Sequence, residues 1–177
     1  MRNTSFLLLT ALFFGSCNSA APKKQSSVLS YFNVKGYFAK EAERLKLLNP
    51  EIDKTVMVNQ EQEQKKLKIA DWQKELSIFS DADINKSAWQ GLFKISKGKD
   101  AETYLSNDEK VPVKSLRINY KNGKIYGIEI LISNANSLYT SNDTLSYFPD
   151  SLYQVKKTQH ITLLKQKSYL ITGKFNK

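Results

Sequence analysis

Between residues 30 and 48 the apolar side chains Tyr31, Val34, Phe38, Ala42, Leu45 and Leu48 recur at spacings of three and four. That period places them on one face of a helix, and Asn49-Pro50 ends it because the residue before proline is pushed out of the helical region. Two short extended runs, residues 55–58 and 66–69, flank the polar stretch 59–65 and predict a hairpin with a long loop. Asp71 is placed to cap a second helix that turns Trp72, Leu76, Phe79 and Ala82 inward.

Beyond residues 88–95 the helical period gives way to alternation, in Leu116, Ile118 and Tyr120 and again in Tyr126, Ile128, Ile130 and Ile132. A two-residue turn at Asn122-Gly123 would place these two sets on opposite faces. Burial therefore favours a three-residue loop, Lys121 to Gly123, with Gly123 left-handed in a bulge, Ile118 beside Tyr126 and Leu116 beside Ile128. Further strands are expected at residues 137–147, 152–156, 160–164 and 169–175. Helices first and strands afterwards predict an α+β fold, two helices packed on an antiparallel, meander-like β-sheet.

The first residues change the picture from a bare fold to an address. Arg2 precedes an apolar run, residues 6–14, that is too short to cross a bilayer but suits a secretory signal. Gly15 and Ser16 are small, and Cys17, the one cysteine of the chain, follows at once. This order resembles the signal of bacterial lipoproteins, although Phe14 stands where that pattern prefers Leu, Val or Ile. The resemblance implies cleavage before Cys17, a diacylglycerol on its sulfur, an acyl chain such as palmitate on the new amine, and a stable membrane anchor, since one chain alone binds only marginally. The expected divisions are a signal peptide over 1–16, the lipidated Cys17 with a polar tether over 17–29, and a single α+β domain over 30–177. Asn18-Ser19 lacks the Asp that the resemblance associates with inner-membrane retention. The expected location is the cell envelope, on the outer membrane and facing the periplasm.

Composition removes whole classes of chemistry. One cysteine, expected to be acylated, and one histidine, His160, exclude a cysteine protease, a multi-histidine zinc site and a disulfide oxidoreductase. No G-x-S-x-G elbow surrounds any serine, and His160 reads as a sheet residue. Asp81, Asp83 and Asn85 open like a calcium loop, but Lys86 replaces the required glycine and Leu92 the bidentate glutamate, so the run reads as turn chemistry. No cofactor, metal or catalytic residue is expected. Residues 143–145 and 150–152 each resemble an Asp, Ser/Thr, aliphatic signal for O-glycosylation.

Charge is uneven. Residues 17–110 hold 16 basic and 14 acidic side chains, whereas residues 111–177 hold 10 basic and 3 acidic. Arg117, Lys121, Lys156, Lys157, Lys165 and Lys167 are therefore candidate contacts for an anionic lipid or glycan. Nucleic acid is not expected, because 24 Lys against 3 Arg suits diffuse attraction rather than bidentate recognition. The sequence reads as a non-enzymatic binding or envelope-maintenance lipoprotein. A second reading is a lipid or glycan carrier, a curved half-barrel lined by Tyr120, Tyr126 and Ile128, and a third is an envelope hydrolase. Replacing Cys17 by Ser should abolish metabolic labelling by a fatty-acid analogue; persistent labelling of that variant would refute the anchor.

Overall fold

The computed structural model describes residues 30–176, so Cys17 and the anchor expected on it lie outside the described residues. The order of elements is α1 (Val34–Leu48), β1 (Glu51–Val58), β2 (Glu61–Lys68), α2 (Trp72–Glu75), α3 (Ser77–Asp81), a 3₁₀ turn at Ser87–Trp89, then β3 (Lys94–Lys97), β4 (Ala101–Leu105), β5 (Val113–Lys121), β6 (Lys124–Ala135), β7 (Tyr139–Phe148), β8 (Leu152–Ile161) and β9 (Lys167–Phe175). All nine strands form one sheet in the order β2-β1-β9-β8-β7-β6-β5-β4-β3. Every pairing is antiparallel. The chain lays down the β1–β2 hairpin at one edge, crosses one face as α2 and α3, and meanders back from the far edge until β9 closes against β1. The class is α+β with the sheet dominant.

Each strand's alternation sets the face that the helices cover. In β7, Leu145 and Tyr147 point inward while Thr144 and Ser146 point out, and their partners Val155 and Tyr153 on β8 follow the same phase. Helix α1 lies over this face with Val34, Phe38, Ala42 and Leu45 buried. Phe38 stacks on Phe79 of α3, and both rings meet Tyr147 edge-on. Trp72 of α2 stacks on Phe175 and meets Tyr153 edge-on. The α1 ends are fixed locally: the Asn33 side chain accepts from Gly36 N–H, and Asn49 takes a left-handed conformation at φ 44° and closes the last turn.

Four expectations need correction. Leu48 is 60% exposed, and the inward stripe of α1 carries Glu41 instead, because Tyr147 and Arg44 satisfy that carboxylate. The second helix keeps its Asp71 cap but breaks at Leu76 into α2 and α3. The hairpin after residue 50 has a two-residue turn at Asn59-Gln60, with Asn59 at φ 55°, and β2 extends through the polar residues 61–65 in place of the expected long loop. Residues 160 and 161 finish β8 and Leu163 turns at φ 70°, so no separate strand spans 160–164.

The β5–β6 hairpin corrects the register argument itself. Asn122 and Gly123 both have positive φ, 53° and 73°, Lys121 pairs with Lys124 and Tyr120 with Ile125, which makes a two-residue turn. The register then slips between Asn119 and Tyr120, leaving Tyr126 unpaired, so that Ile118 faces Ile128. Burial did demand an extra residue in β6, but the chain places it in a bulge at Tyr126, where the primed turn still matches the strand twist. Tyr126 is consequently on the outer side, 58% exposed, against Phe148 and under the Lys121 ammonium.

Gly173 has a specific duty in this packing. A Cβ there would stand 2.2 Å from the Tyr153 ring, so glycine is what lets that ring lie across β9. Gly173→Ala should destabilise the protein by about 1–3 kcal/mol through overpacking. Gly98→Ala, whose Cβ would meet only an ordinary contact at 3.5 Å, should stay within about 0.5 kcal/mol of wild type. Urea unfolding of the two variants checks the contrast.

Candidate ligand cleft

The helices do not cover the whole inner face. Between α2–α3 and the strands β2, β1, β9 and β8 lies a cleft of about 610 Å³. Its apolar walls are Leu67, Ile69, Ile78, Val155 and Ile171. Alternation explains most of them: Leu67 pairs with the inward Ile52, Ile171 with both Val155 and Val56, and Ile78 sits one residue before the buried Phe79.

One end of the cleft is polar. Glu75 ends α2 with its carboxylate over the sheet, where Lys54 Nζ donates to its two oxygens at 2.6 and 2.8 Å and Tyr153 OH donates at 2.5 Å. Lys54 occupies an inward position of β1 between Ile52 and Val56, and the ring across Gly173 delivers the Tyr153 hydroxyl to the same acid. Burial first, and the hydrogen bond to Glu75 second, hold the Tyr153 phenol well above its usual range, so it remains a donor.

The inward phase of β8 continues past Tyr153 and Val155 to Lys157 and Gln159, a run of about 20 Å along the strand. At that end Asp143 of β7 is buried opposite Lys157, whose ammonium lies 3.4 Å away. Ser141, fully buried two residues earlier on the same face, donates to Asp143 at 2.5 Å. Tyr139 completes the group: the Ser141 and Gln159 side chains lower its phenol from the ordinary value, and the Lys157 charge adds to this. The inner face thus carries an apolar floor between two polar groups, each built on a carboxylate paired with a lysine.

Catalytic sets are not assembled from these parts. His160 follows Gln159 on β8 and therefore points to the outer face, away from Ser141 and Asp143. Asn85, from the calcium-like run, ties down the entry to α1: its Oδ1 accepts from Tyr31 N–H, and its amide donates to the Phe32 carbonyl. Among the described residues no group of three or more His, Cys, Asp or Glu is placed to hold a metal ion, and no helix is long and apolar enough to cross a membrane.

The six cations singled out from the sequence do not converge. Arg117 and Lys156 share the outer phase of their strands, Lys121 is at the β5–β6 tip, and Lys165 and Lys167 are exposed around the β8–β9 turn. Lys157 faces inward onto Asp143. The residues expected to line a carrier are also elsewhere, with Ile128 in the packed core, Tyr120 half-buried at the hairpin and Tyr126 outside. Thr144 is half-buried on the outer face of β7, and Ser151 is exposed in the β7–β8 turn.

No family model, curated protein or solved structure matches this chain. The cleft is therefore read from its own chemistry. Its signals in the sequence are charged or polar residues in the inward phase of alternating strands, Lys54 in β1 and Asp143 in β7, which hydrophobic patterning passes over.

The buried phenols make a pH test of this packing. Burial is the first cause that raises Tyr37, Tyr104, Tyr147 and Tyr153 above the ordinary value of 10.0. Near pH 10 these groups lose protons in the unfolded chain but keep them in the folded one, so the unfolded state binds fewer protons and stability falls as pH rises. Below that range they contribute no slope. The double variant Tyr147→Phe/Tyr153→Phe should lose about 1.5–3 kcal/mol per hydroxyl at neutral pH, because each donates to a carboxylate, and show a shallower decline above about pH 10. Chemical denaturation at stepped pH measures both, and an unchanged alkaline slope would refute the assignment.

Proposed function

We propose that the protein is a lipid-anchored envelope protein that binds an amphipathic, chain-bearing ligand on the inner face of its sheet, without turning it over. The observation that carries this reading is the cleft of about 610 Å³ with aliphatic walls and the Lys54–Glu75–Tyr153 group at one end. Its size falls within the range of small-molecule sites, and a few polar groups on an apolar wall are what such sites use to orient a ligand. Each methylene transferred from water into the cleft contributes about 0.8 kcal/mol, so a short acyl segment supplies a micromolar gross affinity before ordering costs. Binding rather than hydrolysis is favoured because Glu75 and Asp143, the carboxylates of the two polar groups on this surface, are each neutralised by a lysine. Cys17 acylation would hold the cleft at a membrane surface, where ligands of this kind reside.

The cleft has a charge character of its own, separate from the excess of lysine over residues 111–177. Lys68 and Lys74 line the cleft beside Lys54, with Asp71 and Glu75 as the nearby acids, so the mouth carries a small positive balance suited to an acidic head group.

The protein carrying Cys17→Ser, purified free of its own acyl chains, should bind a fluorescent sixteen-carbon fatty acid saturably. Ile171→Trp fills the cleft and should weaken that binding by about tenfold or more, a loss of about 1.4 kcal/mol. Leu131→Trp, on the outer face of β6, should leave it unchanged. Equal binding by both variants, each with a wild-type unfolding midpoint, would overturn the proposal.

A further inference from the structure

The sheet has two edges, and they are built differently. The β3 edge is four residues long with a lysine at each end, a short and charged edge that resists pairing. The β2 edge is eight residues of unbroken strand, Glu-Gln-Glu-Gln-Lys-Lys-Leu-Lys, with no proline or bulge and with all but Leu67 exposed. Its charges are sorted, with acids in the first half and bases in the second.

The direction of the backbone groups on β2 follows from its neighbours. Asn59 N–H donates to the Ser168 carbonyl, and Asn176 N–H to the Glu51 carbonyl. The odd-numbered residues of β1 therefore bond toward β9, and the even-numbered Ile52, Lys54, Val56 and Val58 toward β2. Their partners Leu67, Lys65, Glu63 and Glu61 face back to β1. This leaves the N–H and C=O groups of Gln62, Gln64, Lys66 and Lys68 aimed at open solvent.

We infer that this edge pairs antiparallel with the same edge of a second copy of the chain, extending the sheet across a two-fold axis at Gln64. Opposed residues in an antiparallel pair must both turn toward each other or both away, so only registers joining residues of equal parity are allowed. Centring on Glu63 sets Glu63 against its own copy, and centring on Lys65 sets two lysines together, both unfavourable. Centring on Gln64 sets Glu63 against Lys65 of the second copy and Lys65 against Glu63, on the inner face where Glu63 and Lys65 already lie beside Val56 and Lys54. Gln62 then faces Lys66, and the hydrogen-bonded positions supply about six backbone hydrogen bonds. The sequence of β2 is complementary to itself in one register and in no neighbouring one.

The test uses the full chain with Cys17→Ser in detergent, so that an engineered thiol is the only one. A short thiol cross-linker should join Gln64→Cys protomers, whose positions face each other about 5.5 Å apart, and not Gln62→Cys protomers, offset by about 13 Å. Gln64→Pro deletes an N–H that faces the second copy and none that faces β1, so it should yield a monomer whose unfolding midpoint equals that of the wild-type chain diluted to monomer. Glu63→Lys should weaken the dimer about tenfold and Glu63→Lys/Lys65→Glu should restore it. A dimer constant that weakens with added salt agrees with exposed ion pairs across the edge. A chain that sediments as a monomer at all accessible concentrations, or cross-links equally from both positions, would overturn the inference.

Discussion

An open antiparallel sheet buries one face only if something covers it, and here the cover is short. The helices contribute fifteen, four and five residues over a sheet of nine strands. They are packed over Tyr147 and Tyr153, while Tyr31, just before α1, meets Tyr104 edge-on, and the chain spends its aromatic residues on these contacts. The inner surface of β8, β9 and β1 beyond the helices is left partly bare, and there the inward positions turn from apolar to mixed. The cleft is thus a consequence of coverage, a gap of definite shape beside a filled core. Burial of aromatic area supplies the stability that lets the gap persist.

The polar groups that face inward repeat one construction. Glu41 accepts from the Tyr147 hydroxyl and from Arg44, Glu75 from the Tyr153 hydroxyl and from Lys54, and Asp143 from the Ser141 hydroxyl beside Lys157. In each the acid has one neutral donor and one cation, which meets the requirement that a desolvated carboxylate be both hydrogen-bonded and paired. Two of the three join a helix to the sheet, and Arg44 extends the first to Asp150 in the β7–β8 turn. Apolar packing alone would allow α1 and α2 to slide along the strands. A carboxylate that must find one hydroxyl and one cation at fixed positions does not permit the shift, because leaving either partner behind strands a buried charge.

What could be read in the sequence divides along the same line. Val34, Phe38, Ala42 and Leu45 announced one helix face, and Trp72, Leu76, Phe79 and Ala82 the buried side of α2, α3 and their flanking residues, because both rest on periodic burial. The Asp71 cap was legible from local chemistry alone. The end of β2 at residues 66–68 was legible as an extended run, but residues 61–65 were not, since an edge strand with water on both faces needs no apolar alternation, and Leu67 is its one half-buried side chain. The alternation of β5 and β6 implies a register conflict but not its position at Tyr126, because burial says that a residue must be extra without saying where. The cleft was illegible for a different reason: Lys54, Glu75 and Tyr153 converge from three elements, and no local pattern links residues 21 and 78 positions apart.

The β1–β2 hairpin gives these separate features a common support. Lys54 and Leu67 are walls of the cleft, while the far side of β2 is the free edge of the sheet. The hairpin holds to the rest of the protein through β9 and through the Lys54–Glu75 pair, and its outer strand has few buried contacts of its own. Such an element sits at the low end of the local stability scale. Under the two proposals above, an occupant that ordered this hairpin from the cleft would also favour pairing at its edge, and such a coupling would be equal in both directions because it is one free energy shared by two sites. A ligand touching Leu67 of β2 and Lys54 of β1 and a strand laid along Gln62, Gln64 and Lys66 would then act on the same hairpin, one at its inner face and the other at its edge.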